Sequence, residues 1–191
     1  DGNTVAIGAS FNNGNGTGIN TGHVRIYNWS GTSWVQLGTD IDGEAAYDQS
    51  GYSVSLSSDG NTVAIGAIAN DVNGTNAGYV RIYSWDGASW GQLGSDIDGE
   101  VAIDNSGHSV SLSSDGQTVA IGAPHNDGNG SDAVHVRIYN WNGAYWTQVG
   151  TDIDGEVPGD RSGYSVSLSS DGGRVAIGAI YNNQNGTKAG H

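Results

Sequence analysis

Three acidic loops recur along the chain, and each places four carboxylates at positions 1, 3, 5 and 9. Hard cations such as Ca²⁺ take six to eight oxygen ligands, and such a loop also offers a backbone carbonyl at position 7. Carboxylates two residues apart on an extended chain lie about 6.6 Å apart and repel one another, and a bound cation removes that repulsion. The loops are therefore predicted to bind Ca²⁺. The predicted ligands are Asp40, Asp42, Glu44 and Asp48, then Asp96, Asp98, Glu100 and Asp104, then Asp152, Asp154, Glu156 and Asp160.

A second interpretation of these loops needs no cation. Calcium loops usually carry glycine at position 6, whereas Gly43, Gly99 and Gly155 stand at position 4. Aspartate side chains in turns commonly accept hydrogen bonds from nearby backbone N–H groups. A solvated turn capped by its own aspartates is therefore the alternative to a Ca²⁺ site, and the residue types leave both open.

Five Asn-X-Ser/Thr sequences are candidate N-glycosylation sites, four of them at one phase of an internal repeat. Such sequences accept glycans when a protein passes through a eukaryotic secretory pathway. Asn-Gly is also a favoured turn dipeptide, so turn formation alone is the alternative. The candidate acceptors are Asn15, Asn28, Asn73, Asn129 and Asn185.

Aromatic and basic side chains recur in the same way. Tryptophan pairs bracket four-residue turns, where cross-strand aromatic pairs stabilise hairpins. This structural role is predicted, with a platform for stacking sugars as the alternative. The repeated arginines are expected to lie over Tyr or Trp rings or to pair with an acid of the neighbouring unit. These residues are Trp29 and Trp34, Trp85 and Trp90, Trp141 and Trp146, with Arg25, Arg81 and Arg137.

No catalytic constellation is evident. A catalytic site is needed once and should therefore interrupt the repeat, but the residues that do so contain no recognisable nucleophile and base. The histidines at positions 23, 135 and 191 share one repeat position with Tyr79, which indicates packing. The chain is therefore not expected to be an enzyme.

The elements that must position these groups come from a unit of 56 residues, marked by Asp59, Asp115 and Asp171. Each unit holds four strand-like runs, which in one copy are 52–58, 62–67, 79–85 and 90–97, and tight Asp-Gly turns separate some of them. No segment shows helical periodicity. The sequence predicts an all-β protein in which each unit is one four-stranded antiparallel blade of a β-propeller, with a β-solenoid as the alternative.

The repeat phase predicts an incomplete propeller. Residues 1–51 form a partial blade (second to fourth strands) with a linker, 52–107 and 108–163 form complete blades, and 164–191 form the first two strands of another. A propeller needs at least four blades. Further blades, from the same chain or from other copies, are therefore expected partners. Small residues on the second strand are expected where neighbouring blades approach closely.

Charge and hydropathy exclude other classes of partner. Six basic against 20 acidic residues give a net charge of −14, which disfavours nucleic acid because phosphate binding needs clustered Lys and Arg. No apolar run is long enough to insert into a membrane. The chain is therefore expected to bind neither nucleic acid nor the membrane interior.

Residues 107–110, 119–124 and 136–139 resemble the FG-GAP repeat of integrin-α-type β-propellers. They are still more similar to tandem FG-GAP-like repeats of large secreted proteins from bacteria and microalgae. The resemblance implies an extracellular structural or adhesive module with glycans or cell-surface proteins as partners. A lectin-like carbohydrate-binding module and the scaffold part of a propeller hydrolase are the alternatives. The calcium loop that integrin-type repeats place between the first two strands is replaced here by a tight Ser-Ser-Asp-Gly turn.

Overall fold

The structure is a computed structural model, and it describes residues 2–14, 18–125, 134–157, 159–183 and 186–191. Sixteen β-strands and no helix are found within these ranges. The strands form four antiparallel sheets, which follow one another along the chain. In the same ranges no helix is long and apolar enough to cross a membrane. The prediction of an all-β protein is confirmed.

Each sheet corresponds to one repeat unit. Sheet 1 contains β1 (Thr4–Ala9), β2 (His23–Trp29), β3 (Trp34–Gln36) and β4 (Ile41–Asp42). Sheet 2 contains β5 (Ser50–Leu56), β6 (Thr62–Ala67), β7 (Tyr79–Trp85), β8 (Trp90–Gln92) and β9 (Ile97–Asp98). Sheet 3 contains β10 (Ser109–Leu112), β11 (Thr118–Ala123), β12 (His135–Trp141), β13 (Trp146–Gln148) and β14 (Ile153–Asp154). Sheet 4 contains β15 (Ser165–Leu168) and β16 (Val175–Gly178).

Two predicted strand boundaries were wrong. The predicted strand 90–97 is divided into β8 and β9, which both pair with β7, while residues 93–96 leave the ladder between them. The predicted strand 52–58 is β5, which begins at Ser50 and ends at Leu56. Its register shifts between Ser50 and Ser53, where Gly51 has a positive φ of 83°. A bulge of this kind adds residues to one strand without a partner opposite.

Neighbouring sheets approach so closely that the second strand of each needs glycine. A Cβ added to Gly66 on β6 would clash with the backbone oxygen of Gly107, which precedes the first strand of the next sheet. Gly122 on β11 stands in the same relation to Gly163. The expectation of small residues at this contact is therefore confirmed.

Serines join the first strands of successive sheets. The Ser53 hydroxyl donates to the Gly107 carbonyl at 2.6 Å, and the Leu112 backbone N–H donates to Ser55 Oγ at 3.0 Å. A backbone hydrogen bond from Ser58 N to Ser114 O, at 2.9 Å, joins the same two sheets. These bonds satisfy polar groups between sheets, which explains why serines alternate with apolar residues on a strand that neighbouring sheets cover.

The hydrophobic core lies between sheets. One cluster joins sheet 1 to sheet 2, and a second joins sheet 2 to sheet 3. The sheets are therefore stacked as blades in a propeller-like arrangement, which does not close into a ring within the described residues. The buried members are Val24, Ile26, Ile41, Val63 and Ile65 in the first cluster, and Ala64, Val80, Ile82, Ile97, Leu112, Val119 and Ile121 in the second.

Candidate functional site at the blade interfaces

The first carboxylate of the acidic loop is ion-paired in sheets 1 and 2. Arg25 donates from Nε and Nη2 to both oxygens of Asp40 at 2.8–3.0 Å. Arg81 forks onto Asp96 in the same way, at 2.8 and 2.6 Å. The hydrogen bond from Arg25 holds the pKa of Asp40 below its usual range. Arg25 lies on β2 and Arg81 on β7, and each pairs with the residue that precedes the last short strand of its own sheet, β4 or β9. Each ion pair therefore lies within one blade.

The third carboxylate reaches the next blade. Glu44 forms an ion pair with Arg81 of sheet 2, and Glu100 Oε1 lies 3.7 Å from Arg137 Nη1 of sheet 3. The Arg81 guanidinium also lies 4.6 Å from the centroid of the Tyr79 ring. Both expected roles, over an aromatic ring and against an acid of the neighbouring blade, are therefore confirmed for Arg81 and Arg137. Arg25 pairs instead with Asp40 of its own blade.

The fourth carboxylate caps its own loop. Asp48 Oδ2 accepts from the backbone N–H of Ala45 at 3.0 Å, and its Oδ1 accepts from Asn70 Nδ2 at 3.1 Å. Asp104 Oδ2 accepts from two successive backbone N–H groups, at 2.8 and 3.0 Å. Asp160 also accepts a backbone N–H at 3.2 Å. Burial raises the pKa of Asp48, which is enclosed between loop and neighbouring blade. These hydrogen bonds are the ones expected if each loop is a turn capped by its own aspartate, the alternative to a Ca²⁺ site.

The second carboxylate of the loop is partly buried in sheets 1 and 2. Asp42, Asp98 and Asp154 end the short strands β4, β9 and β14. Burial raises the pKa of Asp98, and the adjacent charge of Asp96 adds to this. One oxygen each of Asp42 and Asp98 is buried without a hydrogen-bond partner among the described residues. The four carboxylates of a loop thus have different partners, and Ca²⁺ binding by these loops stays a prediction.

The described ranges contain two groups of three side chains that could ligate a metal ion, and each group includes a histidine. Within each group the ligand atoms lie within 4.8 Å of one another. In sheet 1 the group is His23, Asp40 and Asp42. At the interface of sheets 2 and 3 it is Glu100, His135 and Asp152.

His135 is the buried member of the second group. It is 2% exposed, and its Nδ1 lies 4.0 Å from Glu100 Oε2 and 3.8 Å from Asp152 Oδ2. Burial lowers the pKa of His135, and the charge of Arg137 lowers it further.

Sequence reasoning named these carboxylates as ligands but assigned the histidines to packing, and so missed that the two kinds of side chain lie together. A signal for the pairing was present. His23 and His135 each precede the first carboxylate of their loop by 17 residues, at the position where the second unit has Tyr79.

Two candidate glycosylation sites lie within the described residues. Asn73 is exposed, and its Nδ2 donates to the Gly99 carbonyl at 2.9 Å. Asn28 is exposed on β2, and its Nδ2 donates to Thr4 Oγ1 at 3.2 Å. Asn15, Asn129 and Asn185 lie outside the described residues. Glycosylation at all five positions stays a prediction.

The tryptophan pairs pack as predicted. Their ring centroids are 5.4–5.5 Å apart across each hairpin. Trp90 Nε1 also donates to the Leu37 carbonyl of the preceding blade at 2.9 Å, and Trp146 Nε1 donates to Leu93 in the same way at 2.8 Å. A Cβ on Gly38 would lie 2.9 Å from the Trp85 ring. These indoles therefore join blades as well as strands.

A column of rings joins the starts of the first strands. The centroid of His108 lies 5.1 Å from that of Tyr52 and 4.6 Å from that of Tyr164. Burial lowers the pKa of His108. The column links three successive blades through residues at one repeat position.

Comparison with known proteins supports the repeat and the fold. Residues 39–83 match the model of the FG-GAP repeat family. No curated protein matches the chain in sequence. The chain is similar in structure to the periplasmic gluconolactonase of Pseudomonas aeruginosa (TM-score 0.57, 13% identity, 92% of this chain and 47% of that chain). It is also similar to the tricorn protease (TM-score 0.50, 11% identity, 95% of this chain and 15% of that chain).

At these identities the structural likeness shows the fold alone. The chain spans less than half the length of either protein. The FG-GAP resemblance and the β-propeller class are both confirmed.

Proposed function

We propose that this chain is a β-propeller module of an extracellular structural or adhesive protein, and that its blades bind further blades of the same repeat. The observation that supports this most strongly is an apolar face on sheet 1, here called the leading face. It is lined by Val5, Ile7, Tyr27 and Trp34. Ile7 is 51% exposed and Trp34 47% exposed.

The leading face repeats a surface that is covered elsewhere in the chain. The same four residue types stand at the equivalent positions of sheets 2 and 3, where they pack against the preceding sheet. Full burial of one large apolar side chain contributes about 1.5–3 kcal/mol. The equivalent residues are Val63, Ile65, Tyr83 and Trp90 in sheet 2, and Val119, Ile121, Tyr139 and Trp146 in sheet 3.

The covered interfaces define what would fit the leading face. The partner would offer a carbonyl to the Trp34 indole, as Leu37 does to Trp90. It would present a glycine beneath the indole pair, as Gly38 does. It would also supply an acid to the arginine on β2, as Glu44 does to Arg81. A blade of the same repeat, placed before sheet 1, has all three features.

The extracellular and adhesive parts of the proposal have different support. The FG-GAP match of residues 39–83 favours a repeat used in extracellular proteins. The net charge of −14 and the candidate sequons suit a solvated outer surface that meets cations, glycans or cell-surface proteins. The indoles of Trp90 and Trp146 are used in blade packing, which disfavours the lectin-like alternative.

The test adds a blade next to the leading face. A copy of residues 59–114 fused ahead of residue 1 keeps the repeat in phase and supplies a blade in front of the leading face. In this extended chain, Trp34→Ala should lower the free energy of unfolding by about 2–3 kcal/mol, as loss of a large aromatic from an interface does. In the original chain the same change should cost only about 0.5–1 kcal/mol, because it removes the pairing with Trp29 and no contact with another blade.

Trp90→Ala is the matched control. Its interface is already covered, so its cost in urea unfolding should be equal in the original and extended chains. Equal effects of Trp34→Ala in both chains would show that the leading face does not receive a blade.

A further inference from the structure

We propose that Glu100, His135 and Asp152 form a binding site for a divalent transition-metal ion of the Zn²⁺ type, where sheet 2 meets sheet 3. Zn²⁺ binds imidazole nitrogen and carboxylate oxygen, and open sites commonly use three protein ligands and a water. His135 Nδ1 faces Glu100 Oε2 at 4.0 Å and Asp152 Oδ2 at 3.8 Å. This site is independent of the proposed blade binding. It takes Glu100 and Asp152 from two of the loops predicted to bind Ca²⁺, and it differs from them in its nitrogen ligand.

The three ligand atoms lie within 4.8 Å of one another and must move closer together to hold such an ion. Metal–ligand bonds of about 2.0–2.2 Å in a tetrahedron place the ligand atoms about 3.3–3.6 Å apart. The side chains of Glu100 and Asp152 are 46% and 29% exposed, so they can move toward the fixed imidazole. Their exposure also gives an ion a path from solvent and leaves room for a water in the fourth position.

The outer contacts already orient the two carboxylates. Gln148 Nε2 donates to Asp152 Oδ1 at 2.6 Å, which leaves Oδ2 toward His135. Arg137 Nη1 lies 3.7 Å from Glu100 Oε1, which leaves Oε2 toward the same ring. Partners on the second oxygen of a ligating carboxylate are usual around metal ions because they fix the ligand.

His135 is the buried and fixed ligand of the group. The ring is 2% exposed, and its Nε2 is buried without a hydrogen bond among the described residues. Its Nδ1 reaches the two carboxylates only at ion-pair distances. A metal bond to Nδ1 would hold the buried ring on the side that faces the two carboxylates, and Nε2 would then carry the proton.

The other two described units lack this combination. In sheet 2 the histidine position is Tyr79, and Arg81 forks onto Asp96. In sheet 1 His23 is present, but Arg25 occupies both oxygens of Asp40. In sheet 3 the arginine does not pair with Asp152, because Arg137 Nη2 donates to the Asp98 carbonyl at 2.8 Å instead.

The test is calorimetric titration of the full chain with Zn²⁺ alone at about pH 7.5, where the imidazole is neutral. One site is expected. His135→Tyr, which introduces the side chain of the sheet 2 position, should weaken binding at least about 100-fold, and Asp152→Asn at least about 10-fold. The matched control His23→Tyr should stay within about twofold, and excess Ca²⁺ should not compete.

Co²⁺ provides a second readout, because its visible absorption reports nitrogen and oxygen ligands directly. That absorption should disappear in His135→Tyr and persist in His23→Tyr. Absence of Zn²⁺ binding by the folded chain, unchanged binding in His135→Tyr, or loss in His23→Tyr instead would each overturn the proposal. Far-ultraviolet circular dichroism verifies folding, and if His135→Tyr unfolds the chain, Asp152→Asn decides the question.

Discussion

Sheets 2 and 3 present the same arginine to the same kind of acidic loop, yet the contacts differ. Arg81 of sheet 2 forks onto Asp96, pairs with Glu44 and lies 4.6 Å from the Tyr79 ring centroid. Burial lowers its pKa, but the hydrogen bonds that Arg81 donates to Asp96 and Glu44 outweigh burial and raise the pKa above its ordinary value. These contacts form a closed network in which each charge has an opposite charge beside it.

Arg137 of sheet 3 makes fewer charged contacts. It donates to the Asp98 carbonyl and lies 3.7 Å from Glu100, and neither of these contacts is to Asp152. The two interfaces differ at one ring position beside the arginine, Tyr79 in one and His135 in the other. A phenol ring attracts a guanidinium to its face more strongly than an imidazole that carries its own polar atoms. The exchange of tyrosine for histidine therefore accompanies the change from a closed ion-pair network to an open group of ligands.

The largest expected contrast is between Arg81→Met and Arg137→Met. Removing Arg81 leaves Asp96 and Glu44 without their cation, which should lower the free energy of unfolding by about 2–3 kcal/mol. Removing Arg137 breaks a carbonyl hydrogen bond and a longer ion pair, which should cost about 1 kcal/mol. Urea unfolding at neutral pH measures both. Equal losses would show that the two networks are equivalent in energy despite their different geometry.

Most of the fold was predictable because the sequence repeat indicates where each blade begins and ends. The recurrence at Asp59, Asp115 and Asp171 sets the blade length, and glycines such as Gly66 mark where sheets touch. The division of the fourth strand was not predictable. Residues 93–96 leave the ladder although Leu93 N still donates to Ile82 O at 2.7 Å, so the apolar pattern continues through the break.

The candidate site was predictable only in part. The loop carboxylates and the pairing of arginine with a neighbouring acid follow from the repeat, but the Arg81–Asp96 pair depends on how residues 93–96 leave the sheet. The surroundings of His135 depend on Glu100 from another blade, 35 residues earlier. Spacing within one unit does not reveal contacts between units.

A smaller contrast is expected in the dependence of stability on pH. Burial and the charge of Arg137 lower the pKa of His135 in the folded state. The unfolded chain, with a histidine pKa of about 6.5, then binds the proton more readily, so stability falls as pH decreases through that value. The slope contributed is at most about 1.4 kcal/mol per pH unit.

His135→Tyr should remove this contribution between about pH 7 and pH 5. Burial also lowers the pKa of His108. His108→Tyr is therefore the matched control, and it should remove the contribution of His108 to the pH dependence while leaving that of His135. Urea unfolding across this pH range measures both. An unchanged slope in His135→Tyr would mean that its imidazole is protonated equally easily in both states.

The smallest effect concerns the hydroxyl of Tyr79, which is buried without a hydrogen-bond partner among the described residues. Burial raises its pKa, so the neutral phenol is retained. Tyr79→Phe keeps the ring beside Arg81 and removes an unsatisfied polar group, so stability should be unchanged or higher by up to about 1 kcal/mol. Tyr83→Phe is the control, since the charge of Arg81 acts on the Tyr83 hydroxyl, and its loss should cost about 0.5–1 kcal/mol. If Tyr79→Phe proves as costly as Tyr83→Phe in urea unfolding, the hydroxyl has a partner in solution. The contrast with His135 would then lie in hydrogen bonding as well as in the aromatic face offered to the arginine.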